Sequence, residues 1–279
     1  MSDIEDLLRK LGDRGEGALI AYICGGDPDP EYTPDIVDAL IRGGADIIEL
    51  GIPFSDPIAD GPTIQAASVR ALNAGTTPYG VIQMAGRIRE EHRSIPLTVL
   101  TYYNPIYRMG VERFFKRARE YEINGVIVPD LPIEEAAEYR RTAESYGIDT
   151  IFLATPNTTN ERLEKIIEYT SGFLYLVSIF GVTGARDRVH ELTLQTLKKL
   201  LPHIGGRIPL AVGFGISEPE HVSTVIGNGA DGAIVGSAYV KIVEKHKGDH
   251  TGMIKALKEK TSELKAATRV NTGTNKGCY

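Results

Sequence analysis

The chain has 279 residues, 42% apolar and 24% charged, an ordinary balance for a folded protein that excludes disorder as its dominant state. With 31 basic and 37 acidic residues, the net charge is −6 and there is no basic block, which argues against nucleic-acid binding. No apolar run approaches the roughly 20 residues of a membrane span, and the N-terminus MSDIEDLLRK lacks the apolar centre of a signal peptide, so a cytosolic location is expected.

A helix is predicted first, over Asp3–Leu11. Eight short apolar runs then follow: Ala18–Cys24, Asp46–Leu50, Leu97–Tyr103, Gly125–Val128, Thr150–Leu153, Phe173–Ser178, Leu210–Val212 and Gly232–Val235. None alternates polar with apolar, which is the pattern of strands buried on both faces. Amphipathic segments lie between them, among them Pro34–Arg42, Val111–Glu122, Glu134–Tyr146, Glu161–Tyr169, Leu192–Leu201, Pro219–Ile226 and Met253–Ala267. Three segments echo each other, GGADIIELG at 43–51, INGVIVPD at 123–130 and GADGAIVG at 229–236. Strand–helix units in series imply parallel strands with right-handed crossovers. Eight units over this length predict one domain, a (β/α)8 TIM barrel over 1–268 with the extra N-terminal helix and further short helices. A doubly wound open sheet is the alternative, but no G-x-G-x-x-G follows the first strand. The polar tail, 269–279, is expected to be disordered, and Cys24 and Cys278 are too few for a disulfide framework or a four-ligand zinc site.

In such a barrel the chemistry sits at the C-terminal ends of the strands. The first loop there carries Gly25, Gly26 and Asp27, strand four ends in Asp130, and strand five ends in Thr155, Pro156 and Asn157. GFGIS at 213–217 and GS at 236–237 follow the last two strands, where glycine lets backbone N–H groups approach an anion, so a phosphate is expected there. Glu49 ends the second strand, and a carboxylate in a buried strand is costly unless it is paired or functional. Burial would raise its pKa and suit it to act as a general acid. The next loop adds Asp56 and Asp60; position alone does not separate a catalytic role for either from turn or helix capping. Tyr22, Tyr102, Phe152, Tyr175 and Phe214 lie in or near strand ends and could line a flat apolar slot for a ring. All thirteen lysines fall in helices, surface turns or the tails, and none of the six histidines ends a strand. A site without Schiff base or metal, working by acid–base chemistry on a phosphorylated substrate, is therefore expected.

The loop IELGIPFSDPIADGPTIQ (48–65) closely resembles the signature of the tryptophan synthase alpha subunit family. So do CGGDP (24–28), NP (104–105), VPDLP (128–132), SIFGVTGAR (178–186), VGFGIS (212–217) and AIVGSAYVKIVEK (233–245), in order, over roughly residues 4–268. The resemblance implies a lyase of tryptophan biosynthesis that cleaves indole-3-glycerol phosphate to indole and glyceraldehyde 3-phosphate by a retro-aldol step. It implies Glu49 and Asp60 as the catalytic pair, and Asp56 as support for Thr183 on a mobile lid, Phe180–Arg188. Tyr22, Tyr102, Tyr175, Thr183 and Phe214 match substrate contacts, and Gly184, Gly215, Gly236 and Ser237 match phosphate contacts. The chain departs from some members at Ile179-Phe180, where they carry an arginine, so its lid latch is expected to differ. The resemblance further implies no cofactor on this chain and a pyridoxal-phosphate beta subunit as partner in an α2β2 tetramer. Pro53 and Phe54 are expected to form the exposed apolar edge at that interface.

Overall fold

The predicted runs become strands because each can bury both of its faces. A computed structural model of the chain describes residues 2–177 and 186–269, residues 186–190 as backbone alone. Its strands are β1 (Ala18–Cys24), β2 (Ile47–Gly51), β3 (Leu97–Leu100), β4 (Gly125–Ile127), β5 (Asp149–Ile151), β6 (Leu153–Ala154), β7 (Leu174–Val177), β8 (Leu210–Gly213) and β9 (Gly232–Val235). All pair in parallel, in the order β5-β4-β3-β2-β1-β9-β8-β7-β6. β5 and β6 are two halves of one barrel strand, interrupted at Phe152; the first half pairs with β4 and the second with β7. The ring therefore has the eight predicted staves.

Side chains on successive strand residues enter two separate cores. Ile20, Tyr22, Ile47, Leu100, Ile127, Ile151, Tyr175, Ala211 and Ile234 pack inside the ring. Leu19, Ala21, Ile48, Leu50, Val99, Val126, Leu176 and Val212 face outward, against the helices. Helix α1 (Asp3–Asp13) sends Ile4, Leu8 and Leu11 into the inner core and so closes the N-terminal end of the ring. The absent side chain of Gly125 makes room for it: a Cβ there would lie 3.1 Å from Ile4 Cδ1.

The remaining helices are α2 (Thr33–Gly43), α3 (Pro62–Asn73), α4 (Pro78–Glu91), α5 (Tyr103–Met109), α6 (Val111–Glu120), α7 (Ala137–Ser145), α8 (Asn160–Tyr169), α9 (Arg186–Ile204), α10 (Pro219–Gly227), α11 (Ser237–Lys245) and α12 (His250–Ala266). Tyr102 and Tyr103 do not extend β3, as the apolar run suggested. Tyr102 is the N-cap residue of α5, whose first residue, Tyr103, donates its N–H to the Asp130 carboxylate at 2.8 Å. Of the polar tail only Arg269 is described; it pairs with Glu16 at 3.3 Å. The predicted disorder of 270–279 lies outside the described residues.

The N-terminal end of the ring is held by reciprocal hydrogen bonds. Leu19 N–H donates to Asp46 Oδ2 at 2.7 Å, and Asp46 N–H returns a bond to the Leu19 carbonyl at 2.9 Å. The same exchange joins Leu97 with Asn124, Thr150 with Ser171, and Leu210 with Asp231. Each time, a polar residue just before one barrel strand satisfies the first backbone groups of the strand preceding it in the chain. Three of the four lie in the segments that echo one another in sequence. The echo therefore records a repeated device for setting strand register.

Candidate active site

The alternation that fills the ring also brings Glu49 into it. Glu49 lies two residues beyond inward-facing Ile47 on β2 and is paired in register with Tyr22 of β1 and Thr98 of β3. It is 1% exposed, and its Oε2 is buried without a hydrogen-bond partner. Among the described residues no salt bridge to a neighbouring strand makes this carboxylate structural. Together with Asp60 it lines a cavity of about 710 Å³, open mouth included, at the C-terminal end of the ring. Tyr22, Leu100, Tyr175, Phe214 and Ile234 form its walls, with Pro62, Thr63 and Ile64 at the start of α3.

Burial dominates the electrostatics. Desolvation pushes the Glu49 carboxyl up to about 8, and the neighbouring charge of Asp60 adds to the shift. Asp60 is also desolvated, to about 6, because a hydrogen bond with the Tyr102 hydroxyl partly holds it down. Near neutral pH the pair therefore holds one proton on Glu49 and one negative charge on Asp60. Tyr102 is itself fixed: its hydroxyl accepts the Ala59 N–H at 3.0 Å, and its ring stacks on Phe54 at 5.3 Å.

Two glycines let the tyrosines reach their places. A Cβ on Gly51 would lie 2.3 Å from the Tyr22 hydroxyl, and one on Gly213 would lie 2.3 Å from the Tyr175 hydroxyl. Each phenol thus lies directly over the backbone of a neighbouring strand. Tyr175 in turn meets Phe214 edge-on at 5.9 Å. Phe214 has φ +68°, a left-handed conformation that costs a non-glycine residue energy and is concentrated at functional sites. The other end of the cavity is Gly215, Gly236 and Ser237, where α11 opens. The first-turn N–H groups of that nine-residue helix have no intrahelical acceptors, so they are available to bind an anion.

The structure thus brings together Glu49, Asp60, Tyr22, Tyr175, Phe214, Gly215, Gly236 and Ser237, and sets Tyr102 behind Asp60. Thr183, Gly184 and the lid over 180–185 lie outside the described residues, and Arg186–Arg188 already belong to α9. Asp56 is exposed, bonded to the Ser55 hydroxyl, and does not line the cavity. Phe152 faces the outer core with Tyr139, so it drops out of the aromatic slot. Pro53 is buried and Phe54 is half-buried, stacked on Tyr102; at that edge Ile58 is the most exposed apolar residue, at 83%. His246 meets Asp249 at 3.7 Å and His250 meets Asp35 at 3.0 Å, and neither histidine lines the cavity.

Sequence reasoning missed Leu100, Ile234, Thr63 and Ile64 in the cavity wall. Leu100 and Ile234 share the inward parity of Tyr22, which strands apolar on both faces do not display in sequence. Thr63 and Ile64 were hidden because 51–65 reads as a loop, whereas Pro62 is the first residue of α3.

The model of the family described as tryptophan synthase alpha chain matches residues 8–269. The tryptophan synthase alpha chain of Methanoregula boonei is 48% identical over 96% of this chain and 98% of its own length. That of Klebsiella pneumoniae is 45% identical over 96% and 99%. Among solved structures, the alpha chain of Legionella pneumophila superposes with a TM-score of 0.88 at 32% identity, covering 98% of this chain and all of that one. A tryptophan synthase complex from Pyrococcus furiosus matches with a TM-score of 0.79 at 42% identity, covering 90% and 98%.

Proposed function

The chain belongs to the tryptophan synthase alpha chain family, and from that premise we propose how its barrel cleaves indole-3-glycerol phosphate, with Glu49 as the acid and Asp60 as the stabilising carboxylate. The reaction yields indole and glyceraldehyde 3-phosphate. Its difficulty is that indole is a poor leaving group until C3 is protonated. Glu49 gives its proton to C3, and positive charge develops on the ring at N1–H. Asp60, ionised, faces that charge. The bond between C3 and the glycerol carbon then breaks, and its electron pair returns to the ring. The hydroxyl on the departing carbon passes its proton to the ionised Glu49 as the aldehyde forms, so the acid is regenerated. No step needs a Schiff base, and the described residues lining the cavity include no lysine and no histidine.

One observation carries this reading: a buried, unpartnered carboxyl oxygen on Glu49, with its pKa near 8, shares a largely apolar slot with a carboxylate near 6. Such a pair is poised for acid catalysis at neutral pH. Tyr22, Tyr102, Tyr175 and Phe214 enclose the ring and the glycerol chain. Gly215, Gly236 and Ser237 take the phosphate, with Gly184 from the lid. Thr183 closes the lid over substrate and Asp56 supports it.

The partner in this reading is a tryptophan synthase beta subunit, in an α2β2 tetramer through which indole passes. Pyridoxal phosphate belongs to that subunit, and this chain carries no cofactor. The Pyrococcus furiosus relative has been solved as a tryptophan synthase complex. Ile58, 83% exposed in the loop beyond β2, and Tyr107, 69% exposed on α5, are apolar surface available for such docking. No helix among the described residues is long and apolar enough to cross a membrane, and the cytosol is the proposed location.

Indole release from indole-3-glycerol phosphate, measured for the purified chain with and without a beta subunit, tests both parts. Weak release that rises strongly with the beta chain is the expected result. Strong release indifferent to the partner removes the partnership, and no release in either condition removes the reaction.

A further inference from the structure

The two ends of the cavity belong to different loops, and one buried guanidinium joins them. Arg70 lies on α3, whose first turn, with Asp60 and Gly61 just before it, lines the ring end of the cavity. Its Nε and Nη2 donate to the two carboxylate oxygens of Asp27 at 2.7 and 2.8 Å. Asp27 stands three residues beyond β1, the strand that carries Tyr22. Arg70 Nη1 reaches Glu244 Oε1 at 3.2 Å, on α11, whose other end opens at the phosphate cradle. The side chains of Arg70 and Asp27 are 13% and 2% exposed, so this fork is shielded from water and from salt. Below it, Ala67 and Ala71 of α3 and Val240 of α11 pack into the inner core beside Tyr22. Small residues at this contact hold the two helices close, but apolar packing alone does not fix their relative slide. The bidentate pair fixes the guanidinium of α3 against the loop after β1, and so aims its remaining Nη1 at Glu244, which ties α3 to α11.

We propose that Arg70 and Asp27 are positioning residues that set the distance between Asp60 and the phosphate cradle. The inference rests on the reaction assigned above, because only a substrate with both a ring and a phosphate senses that distance. A ligand that fills one end alone does not sense it. Neither residue lines the cavity, so an effect on turnover must pass through the helices.

Arg70→Lys tests this, because lysine keeps the charge but cannot make the planar fork. Three ligands are titrated by calorimetry: inorganic phosphate, indole, and an uncleavable analogue with a three-carbon tether between indole and phosphate. Cleavage of indole-3-glycerol phosphate is followed in parallel, with thermal unfolding as the check on folding. The expected result is about tenfold weaker binding of the tethered analogue and a similar fall in kcat, the size of one lost charge-assisted hydrogen bond. Phosphate and indole alone keep their affinities within about twofold. Asp27→Glu combined with Arg70→Lys, in which the longer carboxylate meets the ammonium, restores part of both losses.

Unchanged binding of the tethered analogue by Arg70→Lys overturns the proposal. So does a parallel loss of all three ligands with a fallen melting temperature, which marks a purely structural bridge. If the unsubstituted chain releases no indole, the assigned reaction fails, while the analogue titrations still decide whether the bridge sets the spacing.

Discussion

Two carboxylates three residues apart, one just before β2 and one on it, have opposite fates. Asp46 precedes β2 at the closed end of the ring, and Glu49 points into its open end. Burial raises both. At Asp46 the rise is opposed by Lys265, whose Nζ lies 2.8 Å from Oδ2, and by the Leu19 N–H at 2.7 Å. At Glu49 nothing opposes it: Oε2 has no partner, and Asp60 adds a like charge. The same cost of desolvation is therefore partly offset at one end of the ring, where the paired carboxylate secures strand register. At the other it is left standing, as a proton held up to about pH 8. An uncancelled burial cost separates the chemical end from the structural end.

The largest effect that could break this comparison comes from Glu49→Gln, which keeps the shape and removes the proton donor. Turnover falls by about 10³-fold, within the usual range for a positioned acid. Binding of a phosphate ligand persists. The variant also gains stability at alkaline pH. The Glu49 pKa is raised by folding from 4.5 to about 8, so its neutral form favours folding fully below 4.5, and that contribution is lost as pH rises through about 8. Denaturant unfolding at pH 6 and 9 measures the difference; equal stability at both would mean that Glu49 is not buried as a neutral acid. Asp60→Asn comes next, with a loss of about 10²-fold in kcat from removal of one preorganised charge. Steady-state kinetics with the beta subunit present checks both.

At the other end, Asp46→Ala should cost stability and spare the chemistry. It strands the Leu19 N–H and takes from the Lys265 ammonium its shortest ion pair, a loss of about 2 kcal/mol in unfolding free energy, with kcat unchanged. A kinetic defect as large as that of Asp60→Asn would erase the distinction between the ends.

How much of this was legible in the sequence follows the same line. Glu49 stood out because a charge in an apolar run has no cheap structural explanation. The barrel was legible because buried parallel strands leave runs that few other folds require. Asp56 and Asp60 were not separable by position: what separates them is the start of α3, which sets Asp60 at the slot and leaves Asp56 in solvent. That helix was unreadable because Ala67, Ser68 and Ala71 make its buried face and Val69 is exposed, so its apolar stripe is faint. Phe152 was placed on the wrong side of the wall because a strand buried on both faces gives no sign of which face a residue takes. Pro53 reads as exposed because a proline in a loop gives no sign of its burial, and the stack that half-buries Phe54 on Tyr102 is not announced by the sequence either.

The two raised carboxyls also set a pH window. Asp60 must be ionised, so the rate falls as pH drops through about 6; Glu49 must be protonated, so it falls again as pH rises through about 8. A bell with its maximum near 7 is expected for cleavage, within about a unit at each limb. A flat profile from 5 to 9 would mean that neither group titrates in the step that limits turnover.

The smallest effect is the most specific. Tyr102 touches only one of the two acids: its hydroxyl lowers the pKa of Asp60 by hydrogen bonding, while the same oxygen accepts the Ala59 N–H. Tyr102→Phe keeps the ring that stacks on Phe54 and removes only that oxygen. The Asp60 carboxyl then loses what offsets its burial, and its pKa rises further. The acid limb of the cleavage profile should shift upward by about half to one unit, since one hydrogen bond is worth about 1 kcal/mol and one pKa unit 1.36 kcal/mol. The alkaline limb, which reports Glu49, should stay where it is. A shift of both limbs together would mean that the two carboxyls titrate as one coupled unit, and the assignment of one limb to each would fall.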